Sequence, residues 1–230
     1  MTIRRPPEGT HPPNDSPGYR STALRHPKEP LVIIPQTMTE LTGPMYPYGH
    51  FETTDNDLTR QHAGEPLGER IIVEGRVFGD DGQVLPNTLV ELWQANAAGR
   101  YAHRVDGHAA PLDPNFSGAG RTLTDAQGRY RFVTIRPGAY PWRNHDNAWR
   151  PAHLHFSLFG TNFLSRLITQ MYFPGDPLMP YDPIFNSIPD ANARQRLIAS
   201  FDLNTTEPEW ALGFRFDIVL RGSNATPMET

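Results

Sequence analysis

Prolines and glycines interrupt this chain so often that most of it has no room for a long helix. There are 24 prolines and 19 glycines in 230 residues, spread along the sequence as punctuation. An internal proline removes a helical hydrogen bond and clashes with the preceding turn, so the stretches between these breaks favour strands and loops. Alternation supplies the strand signal. Ile71, Val73 and Val77 share one face of a segment over residues 70–78, which runs into the turn Gly79-Asp80-Asp81-Gly82. Further strands are expected over residues 88–94, 129–135, 154–159, 166–173 and 214–221, with Asp125-Ala126-Gln127-Gly128 as a turn and Pro137-Gly138 as a stop. Short strands with turn signals between them predict an all-β fold, an antiparallel β-sandwich with long loops. One short helix is expected after Asp190, with Ala193, Leu197 and Phe201 as its apolar stripe.

Residues 1–65 read differently. Eight prolines between positions 6 and 35 predict an extended N-terminal arm, with residues 31–34 as its one strand. Tyr19, Tyr46, Tyr48 and Phe51 suggest an arm that lies on a surface. Residues 66–230 are expected to form the sandwich.

Composition excludes several classes. The absence of cysteine removes disulfides, thiolate metal sites, iron–sulfur clusters and a cysteine nucleophile together. The net charge of -4 offers no surplus for nucleic acid. No apolar run approaches the roughly 18 residues of a membrane helix, and Met1-Thr2-Ile3-Arg4-Arg5-Pro6 lacks the apolar core of a secretory signal. A cytoplasmic location is the expectation.

The chemistry concentrates in Trp149-Arg150-Pro151-Ala152-His153-Leu154-His155-Phe156. In a strand, His153 and His155 project to one face and can grip one metal ion. Tyr140 follows Pro137-Gly138-Ala139, Tyr101 follows Ala98-Gly99-Arg100, and no acidic residue stands where a two-histidine, one-carboxylate iron site needs it. Each feature has a bland reading: His-x-His is more often structural than ligating, and a strand ending in Pro-Gly-x-Tyr often only caps a core edge. Their combination within 55 residues is what argues for a site. Two imidazoles and two phenols suit Fe(III), because only a strong Lewis acid ionises a phenol whose ordinary pKa is about 10. Zinc more often takes three histidines, or two and a carboxylate. A ferric centre with an open position can chelate a catechol.

At these residues the chain resembles the intradiol ring-cleavage dioxygenases. The resemblance runs through Gly99-Arg100-Tyr101, Pro111-Leu112-Asp113-Pro114-Asn115-Phe116, Tyr140-Pro141-Trp142-Arg143, the His-Leu-His segment, Gln170-Met171-Tyr172-Phe173 and Arg215-Phe216-Asp217-Ile218-Val219-Leu220-Arg221-Gly222, with Pro17-Gly18-Tyr19 in the arm. It implies one Fe(III) per chain, with Tyr101 and His155 as equatorial ligands and Tyr140 and His153 as axial ones. It implies that Tyr140 is released to take up a substrate proton, and that Arg150 stabilises charge on the ring. Trp142 and Gln170 are implied to line the substrate and oxygen side, and Tyr19 and Arg25 to meet the substrate from the arm. The implied reaction is cleavage of protocatechuate by O2 to 3-carboxy-cis,cis-muconate, with catechol or hydroxyquinol as alternative substrates. The proline-broken arm cannot supply the helical dimerisation domain of the catechol-cleaving branch. It suits a subunit that wraps an iron-free, homologous α partner in a higher-order αβ assembly. The chain departs from relatives at Tyr181-Asp182-Pro183 and His145-Asp146-Asn147, neither of which is expected to touch a ligand. Two rivals remain: a non-catalytic β-sandwich binding module, and a zinc hydrolase using His153 and His155 with His103 or His108.

Overall fold

The computed structural model describes residues 6–29, 55–143, 149–159 and 166–229. The expected strand over residues 31–34, and Tyr46, Tyr48, Phe51 and His145-Asp146-Asn147, lie outside the described residues.

Two sheets face each other. In the first, β1 (Arg70–Phe78) pairs antiparallel with β4 (Arg129–Ile135) along one edge. Along the other it pairs in turn with β10 (Leu212–Arg215) and β11 (Ile218–Val219), and β9 (Ser200–Phe201) extends the sheet beyond β10. The second sheet has the order β3-β2-β7-β8, made of Ala119–Leu123, Leu89–Trp93, His153–Phe159 and Leu167–Tyr172. A separate two-stranded ribbon joins β5 (Tyr140–Pro141) to β6 (Trp149–Arg150). The inner faces meet in one core, in which Phe156 from β7 packs edge-on against Phe132 from β4 at 6.3 Å, with Phe216 5.5 Å away.

The all-β sandwich is as expected, with one difference: β1 runs parallel to β10 and β11, so the first sheet is mixed. Period-two alternation fixes which face a side chain takes but carries no information about strand direction. The expected strand over residues 214–221 is two strands, because Asp217 turns its carboxylate to accept from the Arg76 amide and breaks the ladder.

Asp190 does cap a helix, α3 (Ala191–Gln195), by accepting from the Asn192 amide. The expected stripe does not continue. Leu197 is buried just past the helix, whereas Phe201 lies on edge strand β9 and is 51% exposed. Two short helices were not expected: α1 (Arg20–Arg25) in the arm and α2 (Pro183–Asn186), which is capped by Asp182. The segment before residue 66 is tied into the sandwich, since Leu58 is fully buried in the main core and its amide donates to Val133.

Candidate metal and catalytic site

Strand β7 carries the two histidines between β2 and β8, where His155 lies opposite both Trp93 and Gln170 and His153 opposite Tyr172. Leu154, Phe156 and Leu158 alternate with them and face the core, leaving His153 and His155 together on the other side of the strand. Both are buried. The strand begins at His153, and Trp149–Arg150 belongs to the separate ribbon, so the eight-residue segment is not one strand.

The tyrosines arrive on two loops that meet backbone to backbone. Gly99 has φ +79°, and a Cβ there would stand 2.1 Å from the Ala139 carbonyl oxygen; one on Gly138 would stand 2.5 Å from that of Ala97. Only glycine permits both approaches. The Gly138 amide donates to the Asn96 carbonyl, and Asn96 Oδ1 accepts from the Ala98 and Arg100 amides. Asp106 accepts from the Tyr101 amide at 2.7 Å. The Tyr101 and Tyr140 rings consequently pack edge to face at 5.4 Å.

The four polar tips converge. His153 Nε2 lies 3.2 Å from His155 Nε2 and 3.4 Å from the Tyr140 hydroxyl, while His155 Nε2 lies 3.1 Å from the Tyr101 hydroxyl. The outer nitrogens face away from this point. His153 Nδ1 donates to the Pro151 carbonyl at 2.7 Å, and His155 Nδ1 lies 3.0 Å from the Glu229 carboxylate. A carbonyl can only accept, so the proton of His153 sits on Nδ1 and Nε2 keeps a lone pair. Burial, then the charges of Arg150 and His155, hold His153 well below its ordinary pKa and therefore neutral. Burial, then the neighbouring Tyr140, pushes Tyr101 well above the ordinary phenol. The lone pair of His153 Nε2 and the Nε2 of His155 thus meet face to face beside two phenol oxygens. That donor set fits a hard, highly charged metal ion. Among the described residues no three His, Cys, Asp or Glu side chains are grouped to hold a metal. His103 is exposed, and His108 instead faces Trp149 at 6.4 Å. That arrangement weighs against the zinc hydrolase.

Arg150 flanks the cluster with every guanidinium nitrogen engaged. Nη1 is 3.1 Å from His153 Nε2 and 3.3 Å from the Tyr140 hydroxyl. Nη2 donates to Gln170 Oε1 at 2.6 Å, to the Tyr172 hydroxyl at 3.0 Å and to Asp182 Oδ2 at 2.7 Å, and Nε donates to Asp182 Oδ1 at 3.1 Å. Its side chain is 2% exposed and that of Asp182 0%. Burial, the largest influence, would weaken the guanidinium's hold on its proton, but Asp182, Tyr172 and Tyr140 together outweigh it and raise the pKa above the ordinary value. Trp142 lies under Arg150 at 5.3 Å from its ring centroid. Tyr19 packs edge-on against Trp142 at 5.0 Å, and Arg25 stands over the Tyr19 ring at 4.8 Å. All nine residues singled out from the sequence thus belong to one contiguous neighbourhood.

Three participants were missed. Asp182, expected to touch no ligand, is bonded to none of the four but anchors Arg150. Its position before Pro183 carried a helix-cap signal, and it does cap α2, but nothing local pointed to Arg150. Tyr172 was seen only as part of a motif. Glu229 gave no signal at all, and it places a carboxylate behind His155 where the sequence offered none nearby.

Residues 41–222 match the family model described as Dioxygenase, and residues 3–37 match the one described as protocatechuate 3,4-dioxygenase beta subunit N terminal. The chain is 60% identical to the protocatechuate 3,4-dioxygenase beta chain of Burkholderia cepacia, over 96% of its own length and 94% of the relative's. It is 28% identical to the protocatechuate 3,4-dioxygenase alpha chain of Pseudomonas putida, over 86% of its own length and 97% of the relative's. Among solved structures, the dioxygenase domain of a dioxygenase carbohydrate-binding protein fusion from Streptomyces sp. SirexAA-E superimposes with a TM-score of 0.53 at 25% identity, covering 79% of this chain and 99% of that one.

Proposed function

This chain belongs to the intradiol dioxygenases, and on that premise we propose that it cleaves protocatechuate with O2 at an Fe(III) held by Tyr101, Tyr140, His153 and His155, one ion per chain. The observation that carries the metal is the pair of Nε2 atoms 3.2 Å apart, one ring oriented by a carbonyl and the other by a carboxylate behind it. The 60% identity to a protocatechuate 3,4-dioxygenase beta chain supports the substrate.

Fe(III) supplies the Lewis acidity that ionises the phenols near neutral pH and makes an electron-rich catechol ring reactive towards O2. The chain's own residues do the rest. Tyr140 rests on a two-residue strand at the edge of the site, and its oxygen takes up a proton from the incoming catechol. Arg150, fixed by Asp182, Gln170 and Tyr172, presents Nη1 where negative charge develops on the ring. Because its anchors already hold it, it need not reorganise as the reaction proceeds. Trp142 and Tyr19 offer an aromatic wall, and Arg25 above Tyr19 offers a cation suited to the substrate's carboxylate. Both atoms of O2 enter the product, 3-carboxy-cis,cis-muconate, so atoms balance without a further reductant.

The arm of residues 1–65 belongs to this reading as the part that meets a homologous, iron-free α subunit in a larger αβ assembly in the cytoplasm. Leu67 and Leu112, 73% and 53% exposed beside Pro111 and Ala98, give such a partner an apolar surface to cover.

The test is purification from iron-replete cells, with iron per chain, the visible spectrum, and oxygen uptake on protocatechuate, catechol and hydroxyquinol side by side. A wine-red protein with one iron, fastest on protocatechuate, is expected. A colourless, iron-free preparation overturns the metal, and preference for catechol or hydroxyquinol overturns the substrate. Full activity as a lone homomer overturns the α partner.

A further inference from the structure

Resting on the ferric reading above, we propose that Glu229 is a positioning residue for the metal, a carboxylate that fixes His155 and strengthens its Nε2 as a donor. Glu229 Oε2 lies 3.0 Å from His155 Nδ1, with the two side chains only 19% and 10% exposed. The segment that brings it there is fastened at successive residues. The Thr226 amide donates to the Val219 carbonyl at 2.9 Å, Thr169 Oγ1 donates to the Pro227 carbonyl at 2.7 Å, the Met228 amide to His11 Nδ1 at 3.1 Å, and the Glu229 amide to the Ile168 carbonyl at 2.8 Å. Both sheets and the arm hold it, so the carboxylate is delivered to the ring.

The His155 ring is constrained on two sides. Trp93 stacks on its face at 4.9 Å with an interplanar angle of 6°, and Glu229 takes its outer nitrogen, so Nε2 faces Tyr101 and His153. His153 has no such counterpart, because its Nδ1 rests on the neutral Pro151 carbonyl. The two imidazoles are therefore unequal. An anionic acceptor behind a ligating imidazole fixes its tautomer, pulls its proton outward and makes the inner nitrogen more basic. His155 becomes the stronger donor of the pair, and the added electron density favours the oxidised metal.

Glu229→Gln tests this, because glutamine can still accept from Nδ1 and keeps the tail's backbone bonds while losing the charge. The expected result is roughly 10- to 100-fold weaker iron retention in a chelator competition. The phenolate-to-iron absorption band should also move to longer wavelength as the metal becomes a better electron acceptor. Glu229→Ala should go further in both readouts. The metal-free Glu229→Gln protein should unfold at the wild-type temperature, a result that separates metal tuning from a structural contact. Unchanged retention and an unchanged band in Glu229→Gln overturn the proposal while leaving the ferric site standing. A loss of iron explained by lower stability of the metal-free protein overturns it too. A wild type that binds no iron removes the ferric reading itself, and the proposal with it.

Discussion

Two buried polar clusters share Arg150, and they are completed differently. Around its Nε and Nη2, donors and acceptors match: Asp182 accepts at both carboxylate oxygens, and Gln170 Oε1 accepts from Arg150 and from the Tyr172 hydroxyl. On the Nη1 side, two imidazole nitrogens and two phenol oxygens crowd together, with the phenol hydroxyls and Nη1 as donors and the two Nε2 atoms facing each other. The first cluster is finished by a buried ion pair, whereas the second converges four lone-pair-bearing atoms on one point without a counter-ion of its own, and in that sense is unfinished. A structural network and a binding site can thus be told apart by whether lone pairs are spent on fixed partners or gathered on one point.

Breaking the unfinished cluster should have the largest effect. His153→Ala is expected to abolish iron binding, colour and turnover, while the fold survives as judged by circular dichroism, since Arg150 keeps its bonds to Asp182, Gln170 and Tyr172. Tyr101→Phe and Tyr140→Phe should each dim the phenolate absorption, and to different degrees. Retention of full colour in both would show that the phenols are not ligands.

Breaking the finished cluster should chiefly cost stability. Asp182→Asn leaves a buried guanidinium without its counter-charge, and about 3–5 kcal/mol should be lost in denaturant unfolding. Pairing Arg150→Leu with Asp182→Leu should recover much of that stability yet leave turnover low, because the charge beside the ring is gone. A double variant as active as the wild type would remove Arg150 from the chemistry.

The smallest effect tests the tail that serves the unfinished cluster. His11 accepts from the Met228 amide only while neutral, and burial, then Arg196, lowers its pKa from the ordinary 6.5. The folded chain therefore binds fewer protons at this site than the unfolded chain once the pH falls below about 6.5. Its contribution is whole above that pH and fades as the pH falls towards the folded value. The protection factor of the Met228 amide, with the intrinsic pH dependence of exchange removed, should fall between pH 7.5 and 5.5, and His11→Gln should flatten that fall.

Legibility followed range. Strands β1 and β4 are legible at their observed bounds because Ile71, Val73 and Val77 share a face and turn signals bound both segments, although burial itself alternates over only part of each. His153 and His155 were legible for the same reason, being two apart on one strand. Ala119–Leu123 escaped notice because its outer face is exposed and it carries no apolar alternation. The two-residue strands β5 and β6 are too short for any period. Asp182 and Glu229 stand 32 and 74 residues from the side chains they orient, a distance that only the closed sandwich bridges. Resemblance to a family points to the four proposed ligands but not to these two supports.

The parallel pairing of β1 with β10 has a consequence for how the protein is made. Ile71 waits for Leu212, 141 residues later in the chain. At about 5–20 residues per second of synthesis, roughly 7–30 s pass before that edge of β1 can be covered. Through this interval a nine-residue strand with one open, apolar edge is available to pair with another nascent chain. Folding yield should therefore depend on crowding at the ribosome and on chaperones more than the finished sandwich suggests.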